Sequence, residues 1–301
     1  MWFRNLQLYR LSANFDLDAE ALHEAMLEKA FKPCGGLDTH SMGWTSPLGK
    51  HSEQLSHATN GRLMVCLRRE DRIIPAAVVR EALDEKVEQI EAQEARPVGS
   101  KEKTRLKDEI VIDLLPRAFS KSNRLFAYID PKEKWVIVDS GNAKKAEELF
   151  SVMRDTLGSF KVKPLAVTQA PASVMTYWLE ESAPEDFVIA DECELKEPVE
   201  NGGIIRARKL DLISDEVRTH LDAGKQVTKL AVEWNERISC ILCDDLSIKR
   251  LRFMDLVMEE AGDVDADSAA ARFDADFALM SMELARFLPR YVEIYGGFDE
   301  D

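Results

Sequence analysis

Cationic side chains recur at strand spacing between residues 204 and 253, a pattern whose natural chemistry is contact with phosphate. In Ile204 to Arg208, Arg206 and Arg208 share one face with Ile204, opposite Ile205 and Ala207. In Val227 to Trp234, the apolar alternation of Leu230, Val232 and Trp234 throws Lys229 to the other side. In Leu246 to Phe253, Lys249 falls with Leu251 and Phe253, while Arg250 and Arg252 share the opposite face with Ile248. A period of two therefore lets Arg206, Arg208, Lys229, Arg250 and Arg252 line one sheet surface if these strands pair, and Lys225 extends it just before the second strand. Such a face suits a nucleic-acid backbone. A solvated face with scattered salt bridges fits the same alternation.

Other groupings have weaker chemistry. Gly49-Lys50 suggests a phosphate loop, but the first glycine, Gly43, is one residue too distant and His51 stands where Ser or Thr would ligate magnesium. Cys240 and Cys243 have CxxC spacing, yet in a strand that spacing sends the two sulfurs to opposite faces, which favours packing over a metal. Cys34, His40, His51 and His57 match no zinc spacing. Asp263, Asp265 and Asp267 imitate the start of a calcium loop, but Ser268 replaces its glycine, and helix capping before Ala269 explains them better. Asp191, Glu194 and Lys196 resemble the carboxylate and lysine set of a metal-dependent nuclease, a short pattern that recurs by chance in so charged a chain.

The elements that must position these residues alternate between strands and helices. The pattern predicts a strand from Trp2 to Arg10, a helix capped by Asp16 or Asp18, and a long irregular loop from Pro33 to Asn60. A strand at Arg62 to Arg69 leads to helices from Pro75 to Glu94 and Lys101 to Leu115, broken at Arg96 to Ser100. This pair is too polar for a core and reads as a projecting helical tip. A hairpin (Leu125 to Asp130, Trp135 to Asp139), a helix from Ala143 to Leu157, a strand at Lys161 to Val167 and a helix from Pro171 follow. Beyond a boundary at Glu180 to Pro184 come strands at Phe187 to Ala190 and Ile204 to Arg208, a helix capped by Ser214, three further strands and acidic helices. Many links are too short for parallel crossovers, so the fold is α+β with mostly antiparallel sheets. The expected division is 1–75 with 120–180 as a discontinuous central α+β domain, 76–119 as the tip, and 181–301 as an α+β domain with the basic sheet face.

With 301 residues, 45% hydrophobic, and no apolar run of membrane-spanning length, the chain is expected to be globular, cytoplasmic and without a membrane partner. Five scattered cysteines exclude a secreted disulfide framework. A net charge of −15 would argue against DNA, but its distribution matters more: residues 254–301 hold 13 acidic side chains against 3 basic ones, whereas 203–253 hold 10 basic against 8 acidic.

In collinear order, Trp2-Phe3-Arg4-Asn5-Leu6, Pro33-Cys34-Gly35, Met42-Gly43-Trp44, Leu114 to Ser120, Ala143 to Glu147, Gly224 to Leu230 and Arg272 to Phe277 resemble the recombination-associated protein RdgC family. The resemblance implies a bacterial, nucleoid-associated protein that is not an enzyme and needs no cofactor or metal. It implies a ring-shaped homodimer whose basic inner surface encircles duplex DNA with little sequence preference and restrains RecA-driven recombination. Binding of single strands, loading of the ring and direct contact with RecA stay open. By the same resemblance the tip closes one of two dimer contacts, with Phe119 as the apolar closing residue, and Lys209 matches a position implicated in DNA contact, although Leu210 stands where some relatives have a polar residue. Two alternatives remain: a metal-dependent nuclease using Asp191, Glu194 and Lys196, and an acidic decoy that binds a basic partner through residues 254–301.

Overall fold

In the computed structural model, residues 1–262 and 266–299 are described. Asp263 and Asp265 of the calcium-loop pattern lie outside them. The first half of the chain runs β1 (Leu6–Leu11), α1 (Ala19–Met26), β2 (His40–Thr45), β3 (Ser56–Thr59), β4 (Arg62–Ile73), α2 (Ala76–Glu94), α3 (Ser100–Leu114), β5 (Phe119–Asp130), β6 (Trp135–Asp139) and α4 (Ala143–Leu157). The second runs β7 (Val162–Pro164), α5 (Pro171–Glu180), β8 (Phe187–Lys196), β9 (Ile204–Arg208), α6 (Asp215–Asp222), β10 (Gln226–Trp234), β11 (Ile238–Cys243), β12 (Ile248–Phe253), α7 (Asp255–Gly262) and α8 (Ala269–Glu293).

Among the described residues these strands form one twelve-stranded sheet in the order β2-β4-β5-β6-β1-β12-β11-β10-β8-β9, with β3 on β4 and β7 on β1. Its ladders are antiparallel, so the molecule is α+β as expected. Alternation sorts its side chains between two cores. One face packs Leu6, Ile137, Leu230, Val232, Leu242 and Ile248 against Met175, Phe277, Leu284 and Phe287 of α5 and α8. The other packs Tyr9, Val65, Ala127 and Val138 against Leu22 of α1 and Leu149 and Phe150 of α4. That second core contains no residue of β8 to β12, so their outer face carries no helix layer from it.

The tip is a helix pair with a small core of its own, Val87, Val98 and Leu106, on the long β4–β5 ribbon. Both its connections pass through proline, Pro75 and Pro116.

Several elements differ from the sequence expectation; β1 begins at Leu6 instead of Trp2, and β4 runs on to Ile73 beyond Arg69. The loop from Pro33 to Asn60 contains β2 and β3; β2 lies at the sheet edge and buries only Gly43 and Trp44, so it has no apolar alternation to detect. Strand β5 begins at Phe119 instead of Leu125 because its exposed first half is held by backbone pairing to β4, Ile73 opposite Phe119. Strand β8 continues to Lys196 beyond Ala190, its acidic stretch paired with cations on both neighbouring strands.

Candidate nucleic-acid interface

Antiparallel register sets Arg206 opposite Glu194 and Arg208 opposite Glu192 across β9 and β8, and Lys229 opposite Glu194 across β10 and β8. Residues paired this way share a face, so cations on both flanking strands meet carboxylates on β8. Arg206 Nε donates to Glu194 at 2.7 Å, Lys229 Nζ donates at 2.8 Å, and the Thr228 hydroxyl donates at 3.2 Å. Glu192 pairs with Arg208 Nε at 3.3 Å and with Arg250. Burial pushes the Glu194 carboxyl up, but the hydrogen bonds and charges of Lys229 and Arg206 outweigh it and hold the group at about 2. It is therefore ionised at neutral pH.

Glu192, Glu194, Arg206, Arg208, Lys229 and Arg250 line a depression of about 500 Å³ together with Lys249. It continues past Asn5 and Arg250 into a second, of about 470 Å³, where Arg252 and Arg4 stand. That one continues past Arg4 and Asn5 into a third, of about 550 Å³, lined by Arg69, Arg124, Lys144 and Lys145. Asn5 borders all three and ties their walls together. Asp139 on β6 accepts the amides of Arg4 and Asn5, both at 2.9 Å, and the Asn5 side chain accepts the Arg250 amide at 3.2 Å. The result is a trough across the sheet with eleven cationic side chains and five carboxylates on its walls.

Residues 1–298 match the family model described as "Putative exonuclease, RdgC". The chain is 46% identical over 298 residues to the recombination-associated protein RdgC of Tolumonas auensis, covering 99% of both chains. It is 45% identical to the proteins of that name from Serratia proteamaculans and Aeromonas hydrophila, covering 99% and 100% of this chain and 98% and 99% of theirs. The chain belongs to the RdgC family. The family description carries the word exonuclease, whereas the relatives are named for recombination. Among the described residues no helix is long and apolar enough to cross a membrane.

Of the residues singled out in this family member from sequence, Arg206, Arg208, Lys229 and Arg250 come together in the first depression and Arg252 in the second. Two stand apart. Lys225 is 13% exposed and paired with Glu197 at 2.8 Å, outside the trough. Lys209, in left-handed backbone at φ 53°, lines a separate depression with Asp191, Asp211 and Glu233. Phe119 is 84% exposed at the start of β5.

Strict alternation in β12 is corrected by the structure. Ile248, Leu251 and Phe253 are buried, and Lys249 lines the trough beside Arg250. The cause is a bulge: three steps from Lys249 to Arg252 face two from Ile241 to Ser239, with Arg250 at φ 50°. Lys249 was therefore missed, as were Arg4, Arg69, Arg124, Lys144 and Lys145, which lie far away in sequence. The resemblance stretches containing Arg4, Lys144 and Lys145 were their only signal.

The nuclease set is divided, since Glu194 lies in the trough under Lys229 and Arg206 while Asp191 lines the depression of Lys209. Two of the residues that match no zinc spacing have other neighbours: Cys34 contacts Glu70, and His57 pairs with Asp274 of α8 at 2.9 Å. Cys240 lies in the main core and Cys243 stands opposite Lys229. Burial raises both thiols, Cys243 to about 11.

Proposed function

We propose that the trough is a contact surface for the DNA backbone, and that the protein binds duplex DNA with little sequence preference, surrounds it as a ring-shaped homodimer and restrains RecA-driven recombination without being an enzyme. The observation that carries this reading is the continuity of three cation-lined depressions across one sheet in a protein of net charge −15. Phosphate binding needs clustered cations, and an acidic remainder repels DNA from other surfaces. The trough walls are largely strand side chains, which present charge to phosphates and leave base edges unread. The relatives' printed names add a tie to recombination.

In this reading, residues 1–75 with 120–180 and residues 181–301 supply the binding surface. The tip, 76–119, closes a contact between copies through Phe119. Lys209 and Lys225 contribute to the field more than to direct contact. The acidic-decoy alternative loses ground because acids of the C-terminal helices have internal partners: Glu283 holds Arg237 at 2.7 Å and Arg286 at 2.9 Å, and Asp274 holds His57.

A salt titration of binding to fluorescent duplexes of different sequence tests the proposal. Log affinity should fall with log salt by about 0.9 per phosphate neutralised, with little difference between sequences. Arg250→Ala with Arg252→Ala, and separately Arg124→Gln with Lys144→Gln, should weaken all duplexes about equally. A flat salt response would sink the reading, and metal-dependent loss of the duplex would turn it to the nuclease.

A further inference from the structure

The two carboxylates inside the trough have an effect opposite to that of the cations around them. Glu194 is 12% exposed and Glu192 22%, whereas Arg206, Arg208 and Arg250 are more than half exposed. The acids therefore lie beneath the cations, at the floor. Each is held by two cations from different strands: Glu194 by Arg206 and Lys229, Glu192 by Arg208 and Arg250. Arg206 and Arg208 meet them through Nε, at 2.7 and 3.3 Å, and each guanidinium carries further N–H donors beyond that contact. A phosphate can thus engage the same arginines without displacing the acids, but it does so against two fixed negative charges a few ångströms below.

We propose that Glu192 and Glu194 are built-in counter-anions that weaken the trough's grip on a polyanion and speed its release. The role rests on the reading of the trough as a DNA interface and adds to it: contact is kept loose enough for the protein to move along or leave the duplex. Five cations and two acids line this first depression, so removing the acids raises its excess positive charge from three to five. Protonation does not remove the Glu194 charge near neutral pH, so its share of the attenuation is constant across that range.

The test uses Glu192→Gln, Glu194→Gln and the double variant, with Glu192→Asp as the charge-keeping control. Elution from immobilised heparin reads the grip on a generic polyanion, and stopped-flow release of a fluorescent duplex reads the grip on DNA. Each Gln substitution should tighten duplex binding about three-fold or more at low salt, mostly through slower release, with a shrinking effect as salt rises. The double variant should elute from heparin at higher salt, and Glu192→Asp should behave like the parent.

Unchanged or earlier elution of the Gln variants, with their thermal transitions intact, overturns the proposal and leaves the acids as clamps that merely orient the arginines. An Asp variant that binds as tightly as the Gln variant also overturns it, because geometry rather than charge would then be the cause. Should either Gln variant fail to fold, the other single variant carries the same readouts. Tighter heparin binding with no salt-dependent duplex binding by any form would retain the counter-anions and remove the DNA reading.

Discussion

At the scale of single residues, Glu194 joins stability to the proposed binding surface. Its carboxyl is held at about 2 against an ordinary 4.5, so the unfolded chain takes up a proton more readily than the folded one. The sign follows: the stabilisation is fully present above the ordinary value and is lost as pH falls toward 2. Urea unfolding of the parent and Glu194→Gln should therefore differ most near pH 6, with the parent's relative advantage shrinking between about pH 5 and pH 2.5. A difference that stays constant with pH would show that the ion pairs with Lys229 and Arg206 give no net stabilisation. The pattern of alternating charge was visible in the sequence for Arg206, Arg208 and Lys229. Of their carboxylate partners only Glu194 was singled out, as one member of a nuclease-like set with Asp191 and Lys196, and Glu192 was not, because what makes both of them counter-ions is cross-strand register.

At the scale of elements, two backbone features separate stability from binding. Gly43 on β2 lies so close to the segment before it that a Cβ there would come 2.6 Å from Phe31 Cα and 2.8 Å from the Lys29 carbonyl oxygen. Gly43→Ala should cost about 2 kcal/mol or more, read as a lowered urea midpoint, because the atoms in its way are backbone. Arg250 presents the opposite case. It occupies left-handed backbone in the β12 bulge at a cost of about 1 kcal/mol for a side-chain-bearing residue, and its own side chain, although paired with Glu192, is more than half exposed. Arg250→Gly should leave stability unchanged or raise it by up to about 1 kcal/mol while weakening duplex binding. A large loss of stability would mean that the arginine serves the fold. The bulge also explains why Lys249 was misassigned: periodicity assumes an unbroken pleat, and one extra residue reverses every later side chain.

At the scale of the whole molecule, the proposed closing contact is open to a direct measurement. Phe119 is 84% exposed, so truncation removes little from the chain's own core. Phe119→Ala should shift the unfolding free energy by less than about 0.5 kcal/mol yet loosen the dimer and shorten residence on closed circular duplex, read by sedimentation and by retention after a salt challenge. An unchanged dimer with a large fall in melting temperature would make the residue structural. The sequence by itself determined the α+β class, the polar helix pair and its break, the strands of the basic half apart from the acidic end of β8 and the bulge in β12, and the family, since periodicity, capping and collinear motifs are local or cumulative signals. Only the tertiary structure decided that the cationic face of β8 to β12 continues through Asn5 to Arg4, Arg124 and Lys144, because sheet order places residues from opposite ends of the chain side by side. It alone paired Lys225 with Glu197, outside the three depressions, and placed Glu192 and Glu194 beneath the arginines, since register and burial arise from pairings between strands distant in sequence.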